Sequence, residues 1–583
     1  MSDLYQKKAH KRTAILAFFF LIWFAGLLLR LVQLQVFNHA RYKAEVIEQN
    51  QNKRKIIPKR GSIYDRKGKI LARSLPVQSV FYTPLKGESY QSQIDKVRKL
   101  GKVLDLSQNE LERIKTRIEK KDRFIWVKRK IDPEEEDSVK RLSLPGVFFQ
   151  EENKRFYPQG TLAAHILGRV NIDDEGHGGV EYRYEAILKG KIGECLILRD
   201  AKRREYHLET LKAPEPGKDL ILTIDETIQY IAERVLEKAI HDNNANWGTV
   251  IISRPFNGEI LALASYPTYD PNNDPPSAEE EMNRAIRYNF EPGSTFKIVT
   301  ASAAREKGLV SLSDTFDCSK GAVFIAGRSI RDHKVLGFLT FPEVLIHSSN
   351  VGTIQISQRI GKNFLYQMIN AFRFGEKTRI DLPGEEPGIF RPLSNWTRSS
   401  LPSLAIGYEI SVTAIQVLQA INVIANRGIM TRPKVVKEIL DSPQKMRTRP
   451  PLQRRILSEK TSAEIVRILE RVVEEGTGKD AQIIGYKIGG KTGTAQKFDR
   501  AAGSYSSSRH LASFVGIVPT DKPLFSMIVV IDEPKTGYQY GGEVAAPLFR
   551  EIARRVLLYL HVPPQEKPLA TTLTAQAWRE LKR

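Results

Sequence analysis

Cysteine is nearly missing from this chain: two residues in 583, Cys195 and Cys318. Two cysteines so far apart exclude a disulfide framework and any cysteine-rich metal site, and they leave the redox compartment open. The ten histidines make no HExxH pattern and no close cluster with acids, so no metal and no cofactor is expected. No zinc-finger or RNP-like motif occurs, which argues against nucleic acid as a partner. Acidic side chains are in deficit too, 67 against 90 Lys and Arg, for a formal net charge of +23. A surplus of that size suits anionic surroundings such as acidic phospholipid or cell-envelope polymers. Internal repeats are absent. A hydrophobic content of 41% with 27% charged residues is that of a folded, mostly water-facing protein, long enough for several domains.

Long apolar runs are lacking everywhere but one place. "TAILAFFFLIWFAGLLLRLVQLQVF" (13–37) is unbroken from Ala14 to Leu29. Some 20 apolar residues at about 1.5 Å each span a bilayer, and Arg30 can snorkel from near the far end. A signal peptide and a buried helix are the rival readings. No A-x-A-like cleavage site follows, which favours an uncleaved anchor. Residues 1–12, with Lys7, Lys8, Lys11 and Arg12, read as a cytoplasmic tail. Arg41, Lys43, Lys53, Arg54 and Lys55 follow the span, so the local charge count alone does not orient it; long domains translocate largely regardless of charge.

Residues 38–215 read as a non-catalytic module of short mixed elements. "IIPKRGSIYDRKGKILARSLPVQSVFYTP" (56–84) is strand-like and broken by Gly61 and Gly68. Ile94, Val97, Leu100, Val103 and Leu104 recur at helical spacing, "RFIWVKRKI" reads as a strand, and "DPEEEDSVKRL" as a helix capped by Asp132. The linker is "LKAPEPGKDL" (211–220). Residues 216–563 change texture: a helix capped near Asp225, a hairpin signal at Asn257-Gly258, many helices, then the strands "HLASFVGIVP" and "LFSMIVVID". Residues 564–583 are a polar tail.

"NFEPGSTFK" places Ser294 and Lys297 at the mouth of a helix. The plain reading is a capping serine with a surface lysine. The chemical reading is a nucleophile and its base: serine needs an adjacent base, and residues three apart share a helix face. Lysine serves as a base only if burial or a second cation lowers its pKa. S-x-x-K is weak by itself, and "SPQK" (442–445) repeats it. Two further elements follow in order, S-x-N at Ser348-Ser349-Asn350 and "KTGT" at Lys491-Thr492-Gly493-Thr494. Only these three keep the order within one domain; "SQN" at 107–109 precedes the serine, and "KTG" at 535–537 has loop surroundings. The combination is a known signature of β-lactamases and penicillin-binding proteins. Arg60, Asp65, Arg66, His165 and Glu181 read as structural, and Cys318 as a small apolar residue.

With its flanking blocks "RGSIYDRKGKILA", "KRFYPQGTLAAHILG", "GGVEYRYEAILKGKIG", "LTIDETIQ" and "YGGEVAAPLF", the chain resembles the class B penicillin-binding proteins over about 55–563, and within them the division type (FtsI-like). One departure is "AIGYEISVTAIQ", with Glu409 where the family usually carries glycine and Ala414 where it carries proline. The resemblance implies a mixed α/β fold: an N-terminal transmembrane helix, an elongated α+β pedestal and dimerisation module, and a transpeptidase domain with an antiparallel sheet flanked by helices, serine β-lactamase-like. It implies a peptidoglycan D,D-transpeptidase that crosslinks stem peptides at the septum and is a target of β-lactams. Ser294 would form the acyl-enzyme with D-Ala-D-Ala stem peptides and Lys297 would take its proton. Ser348 and Asn350 would serve the leaving amine and the peptide amide. Lys491, Thr492, Gly493 and Thr494 would bind the terminal carboxylate, with Lys491 helping to lower the Lys297 pKa, and the N–H groups of Ser294 and Thr494 would form the oxyanion hole. The implied partners are the membrane, a polytopic glycan polymerase and other division proteins. The implied location is the bacterial inner membrane, single-pass, with the catalytic domain outside the cytoplasm. The alternatives are an elongation-type enzyme, a membrane-anchored β-lactam sensor and a non-catalytic division scaffold.

Overall fold

The computed structural model describes residues 2–42, 51–199, 205–273, 275–325, 327–440, 445–447, 453–499, 503–537 and 540–564. Most of the 442–445 repeat of S-x-x-K and nearly all of the polar tail therefore lie outside the described residues. Compactness divides the chain into two units, Met1–Pro58 with Gly190–Pro216, and Lys59–Lys189 with Gly217–Arg583.

In the first unit, Ser2–Val32 is one α-helix, followed by a π-helical stretch Gln33–Phe37. Its apolar side chains, from Ile15 to Phe37, are exposed. Lys7–Phe37 is unburied, and long and apolar enough to cross a membrane. The same unit holds an antiparallel sheet of Gln51–Ile56, Gly193–Arg199 and Glu205–Lys212.

In the second unit the predicted short elements are present. The helix Pro133–Leu142 starts at a capping box of Asp132 and Glu135, with Pro133 in its first turn. The helical pattern after residue 90 resolves into two helices, Tyr90–Val103 and Gln108–Glu119, each capped by a serine. Strand Ile70–Tyr82 pairs with Ile125–Ile131 and Val147–Phe156. This sheet also takes in Ile63–Tyr64, Asp219–Leu222 and Val436–Leu440, so distant segments close one sheet. The core is shared accordingly: Ile63, Leu71, Leu167 and Val180 belong to the same buried cluster as Phe296 and Ile298. A smaller core of Val80, Tyr82, Val97, Leu100, Ile114 and Ile125 lies under the two serine-capped helices.

The KTGT motif sits on a separate five-stranded antiparallel sheet, and the other two motifs sit at the starts of helices. The elements of the sheet, with the helices that matter here, are α1 (Glu226–Asp242), β1 (Trp247–Ser253), β2 (Ile260–Tyr266), α2 (Lys297–Glu306), α3 (Asn350–Ile360), β3 (Gly489–Asp499), β4 (Ser504–Val518), β5 (Phe525–Asp532) and α4 (Ala545–Tyr559). The strand order is β2-β1-β5-β4-β3, which leaves β3 at an edge. Strands β1 and β5 are buried along their whole length, as expected of central strands covered on both faces. Ile228, Leu236 and Ile240 of α1 pack with Phe549, Ile552 and Val556 of α4 in one cluster on the sheet, and Ile298, Ile421 and Leu469 lie in the other.

The residues read as structural are built that way. The Arg60 and Arg155 guanidiniums each donate from Nε to the Glu181 carboxylate at 2.7 Å, and all three side chains are buried. Asp65 accepts from the backbone N–H groups of Lys67 and Lys69. Buried His165 meets the Glu280 carbonyl through Nε2 at 2.7 Å. Breaking a buried ionic cluster from one side leaves uncompensated charge, so Glu181→Ala is expected to cost about 3–5 kcal/mol. Lys238→Ala, which removes an exposed i,i+4 partner of Asp242, should cost less than about 1 kcal/mol. Thermal denaturation of the two variants side by side checks the contrast; equal shifts would contradict it.

Candidate active site

The serine motif straddles two helical geometries. Gly293–Phe296 form a single 3₁₀ turn carrying half-buried Ser294, and the α-helix α2 begins at Lys297. Gly293 holds φ +55°, and Gly407 lies directly against it. A Cβ on Gly407 would stand 2.1 Å from the Gly293 carbonyl oxygen, so only glycine permits that approach. Lys297 is the second step of the motif and points inward, 1% exposed.

Its amine makes three hydrogen bonds, to the Ser348 carbonyl oxygen at 2.6 Å, to Ser348 Oγ at 3.3 Å and to Asn350 Oδ1 at 2.7 Å. None of the three goes to Ser294, toward which the i,i+3 spacing pointed. The S-x-N motif is the start of α3: Ser349 caps it through the Gly352 N–H, and Ser348 just before it holds φ +56°. A non-glycine residue in that region stores strain, and here its carbonyl and its hydroxyl are both turned to lysine amines. The second amine is Lys491 of β3, fully buried, which donates to Ser348 Oγ at 2.9 Å. The structure thus gathers Lys297, Ser348, Asn350 and Lys491 into one polar cluster, on elements up to 194 residues apart in sequence numbering from 297 to 491.

The rest of the KTGT motif follows from β3 being an edge. Thr492 Oγ1 pairs with Thr477 Oγ1 at 2.9 Å, and Thr494 Oγ1 accepts the Gly541 N–H at 2.9 Å. At Gly493 a Cβ would stand 2.4 Å from Ser513 Oγ and 2.7 Å from Thr295 Cγ2. The strand therefore lies hard against the turn that carries Ser294, and a side chain at 493 would pry them apart. The other "KTG" is in the loop after β5.

Asp332, which the sequence did not single out, binds the S-x-N segment from a different hairpin. Its Oδ2 accepts the Ser349 hydroxyl at 2.7 Å, and its Oδ1 accepts the N–H groups of Asn350 and of Val351, the latter at 3.2 Å. The first N–H groups of α3 are thus satisfied from 18 and 19 residues upstream, and Asn350 Nδ2 is held by the Arg331 carbonyl at 2.7 Å. The neighbouring His333 meets Tyr540 edge-on at 5.3 Å between ring centroids. Cys318, fully buried as expected of a small apolar side chain, also reaches Ser349 Oγ at 3.3 Å.

Burial pulls the Lys297 amine down to about 7, with the Asp332 carboxylate opposing the shift. Burial, and then the charge on Lys297, hold Lys491 well below the ordinary lysine value. The expected repulsion between the two lysines therefore weighs on Lys491, while Lys297 is held up by its carboxylate. Burial, then the Lys297 charge, lower the His333 imidazole as well.

The departures of the "AIGYEISVTAIQ" loop have physical reasons. Glu409 adopts φ +60°, a conformation glycine takes without strain. Its carboxylate compensates by binding the Arg391 guanidinium and accepting from Ser400 Oγ at 2.8 Å. Ala414 is the first residue of a helix capped by Thr413, a position that proline favours but alanine also fills.

Comparison with known proteins matches this architecture. Residues 248–554 fit the penicillin-binding protein transpeptidase domain and residues 55–222 the penicillin-binding protein dimerisation domain. Stage V sporulation protein D of Bacillus subtilis is 35% identical over 88% of this chain and 80% of its own length. Peptidoglycan D,D-transpeptidase FtsI of Escherichia coli is 31% identical over 95% and 92%. The crystal structure of penicillin binding protein 3 from Mycobacterium tuberculosis with aztreonam superposes with a TM-score of 0.68 at 26% identity, covering 89% of this chain and all of that one. The chain belongs to the class B penicillin-binding proteins.

The Asp332 carboxylate raises the Lys297 pKa, so Asp332→Asn should lower it and keep the amine neutral to lower pH. The acidic limb of β-lactam acylation, expected near pH 7, should move down in the variant, while the plateau rate falls as Asn350 loosens. Stopped-flow acylation across pH 5–9 checks this; a limb that stays or moves up would contradict it.

Proposed function

We propose that this chain is a peptidoglycan D,D-transpeptidase working through a serine acyl-enzyme, and a β-lactam target. The observation that carries the reading is the convergence of two buried lysine amines on one serine hydroxyl, Ser348 Oγ, beside the turn of Ser294. Ser294 attacks the carbonyl between the two terminal D-alanines, and Lys297, neutral part of the time near pH 7, takes its proton. Ser348 passes a proton from the lysine pair to the departing D-alanine amine, and Asn350 holds the peptide amide. Lys491, Thr492 and Thr494 on the edge strand receive the terminal carboxylate, and Gly493 lets that strand lie against the nucleophile turn. The N–H groups of Ser294 and Thr494 face the developing oxyanion. A neighbouring stem peptide's amine then resolves the ester into a crosslink.

We further infer a single-pass anchor at residues 13–37 in the bacterial inner membrane, the catalytic domain outside the cytoplasm, and a role at the division septum. Supporting this are the apolar, unburied helix and the division-type character of "RGSIYDRKGKILARSLPVQSVFYTP". On this reading residues 38–215 are a pedestal and 216–563 the catalytic domain, and the anchor packs against a polytopic glycan polymerase that hands over its strand.

Ser294→Ala should abolish covalent labelling by fluorescent penicillin while changing stability by less than about 1 kcal/mol. Labelling that persists at another serine, located by peptide mapping, would show the nucleophile to be wrong; a fleeting label on the parent protein would indicate a hydrolase, and none a scaffold. Depletion should give filaments, and rounded cells would sink the division assignment. Exchanging residues 13–37 for an unrelated spanning helix should impair function with membrane attachment kept; full complementation would refute the polymerase contact.

A further inference from the structure

Glu291 lies three residues before Ser294 on the same segment, between Phe290, which bridges to Val412, and Gly293, whose N–H is bonded to the Gly407 carbonyl at 3.1 Å. Its Oε1 accepts the Glu409 N–H at 2.9 Å and the Tyr505 hydroxyl at 3.1 Å. Its Oε2 receives no hydrogen bond among the described residues. Around it stands an aromatic frame: Tyr505 meets Tyr408 edge-on at 5.3 Å and Phe498 edge-on at 5.4 Å. The second carboxylate nearby, Glu409, is already held by Arg391, Ser399 and Ser400. Among the described residues one carboxylate oxygen beside the nucleophile turn is thus left without a cation, with aromatic rings nearby.

We propose that Glu291 is the acceptor-amine residue of the second half-reaction: its Oε2 binds the incoming primary amine as an ammonium and takes its first proton. The proposal rests on the transpeptidase reading above. A primary amine is protonated at neutral pH and cannot attack an ester until it loses a proton. Binding the ammonium and then accepting its proton is what a carboxylate with a raised pKa does well, and burial pushes Glu291 up, with the Glu409 charge adding to it. Tyr505, whose hydroxyl bonds Glu291, brings the rings of Tyr408 and Phe498 close by, and aromatic rings attract a cation more than they attract water. In the step, the C–N bond forms as the acyl C–Oγ bond of Ser294 breaks. Of the two protons the ammonium loses, one goes to Glu291 and the other, by way of Lys297, to Ser294 Oγ. Ammonium, carboxylate and ester thereby become amide, carboxylic acid and free serine, with charge and atoms conserved. The same carboxylate explains how the enzyme prefers an amine to abundant water, since water carries no charge for it to hold.

The test uses the full-length protein, acylated by a thioester ending in a D-alanine analogue, and two acceptors, D-alanine as an amine and methanol as a neutral nucleophile. Glu291→Gln should lower the ratio of amine transfer to hydrolysis by at least about tenfold, with the ratio of methanolysis to hydrolysis within about twofold of the parent's. Glu291→Asp, a carboxylate set back by one methylene, should lose amine transfer only in part, and it carries the comparison if the glutamine variant fails to acylate. An unchanged amine ratio, or amine and methanol transfer falling together, would overturn the proposal, the latter because Glu291 would then only hold its loop. A parent protein that does not acylate at all overturns the transpeptidase reading instead.

Discussion

Two lysine amines buried around one serine hydroxyl set the terms for the rest of this molecule. Among the described residues neither Lys297 nor Lys491 has a carboxylate in direct contact, and both are almost wholly out of water. Bringing Lys297 from the ordinary value of 10.5 to about 7 corresponds to roughly 5 kcal/mol of disfavoured charge. The cost is fully present below the folded value and fades as pH rises toward the unfolded one, because in that window the unfolded chain binds a proton that the folded chain has shed. Stability from this group therefore increases between about pH 7 and 10.5. The surrounding cores offset the cost: Phe296 and Ile298 pack beside Lys297, while Phe514 and Val515 of β4 line the strand paired with Lys491.

The geometry around the amines is over-determined, as strain at a reactive centre requires. Ser348 is held in a left-handed conformation by bonds from both lysines, and α3 behind it is capped by Ser349 and by Asp332 from another hairpin. The edge strand β3 can approach only because position 493 has no side chain, and the 407–412 loop can support the nucleophile turn only because position 407 has none. Each device acts on a different side of the same few ångströms.

The local part of this arrangement was legible in the sequence. Three short motifs in order named Ser294, Lys297, Ser348, Asn350 and Lys491, and capping patterns at Asp132 and Asp225 marked helix starts that the structure has. What was not legible depends on contacts between distant residues. Asp332 stands in a run of ordinary charged residues, and only the hairpin fold brings it to α3. The pairing of His333 with Tyr540 and of Glu291 with Tyr505 joins segments more than 200 residues apart. The i,i+3 rule pointed Lys297 toward Ser294, yet the 3₁₀ turn and the acceptors of the S-x-N segment decide where the amine points. Composition also could not show that Asp219–Leu222 and Val436–Leu440 complete the sheet begun at Ile63, because strand partners carry no mark of each other.

The most direct measurement is a titration of the Lys297 Nζ itself, by nitrogen-15 NMR of lysine-labelled protein with Lys297→Arg as the assignment control. A midpoint near pH 7 in the unacylated protein is the expected result. An amine that stays protonated to the ordinary lysine value of 10.5 would contradict the account, since it could not then serve as the base for Ser294.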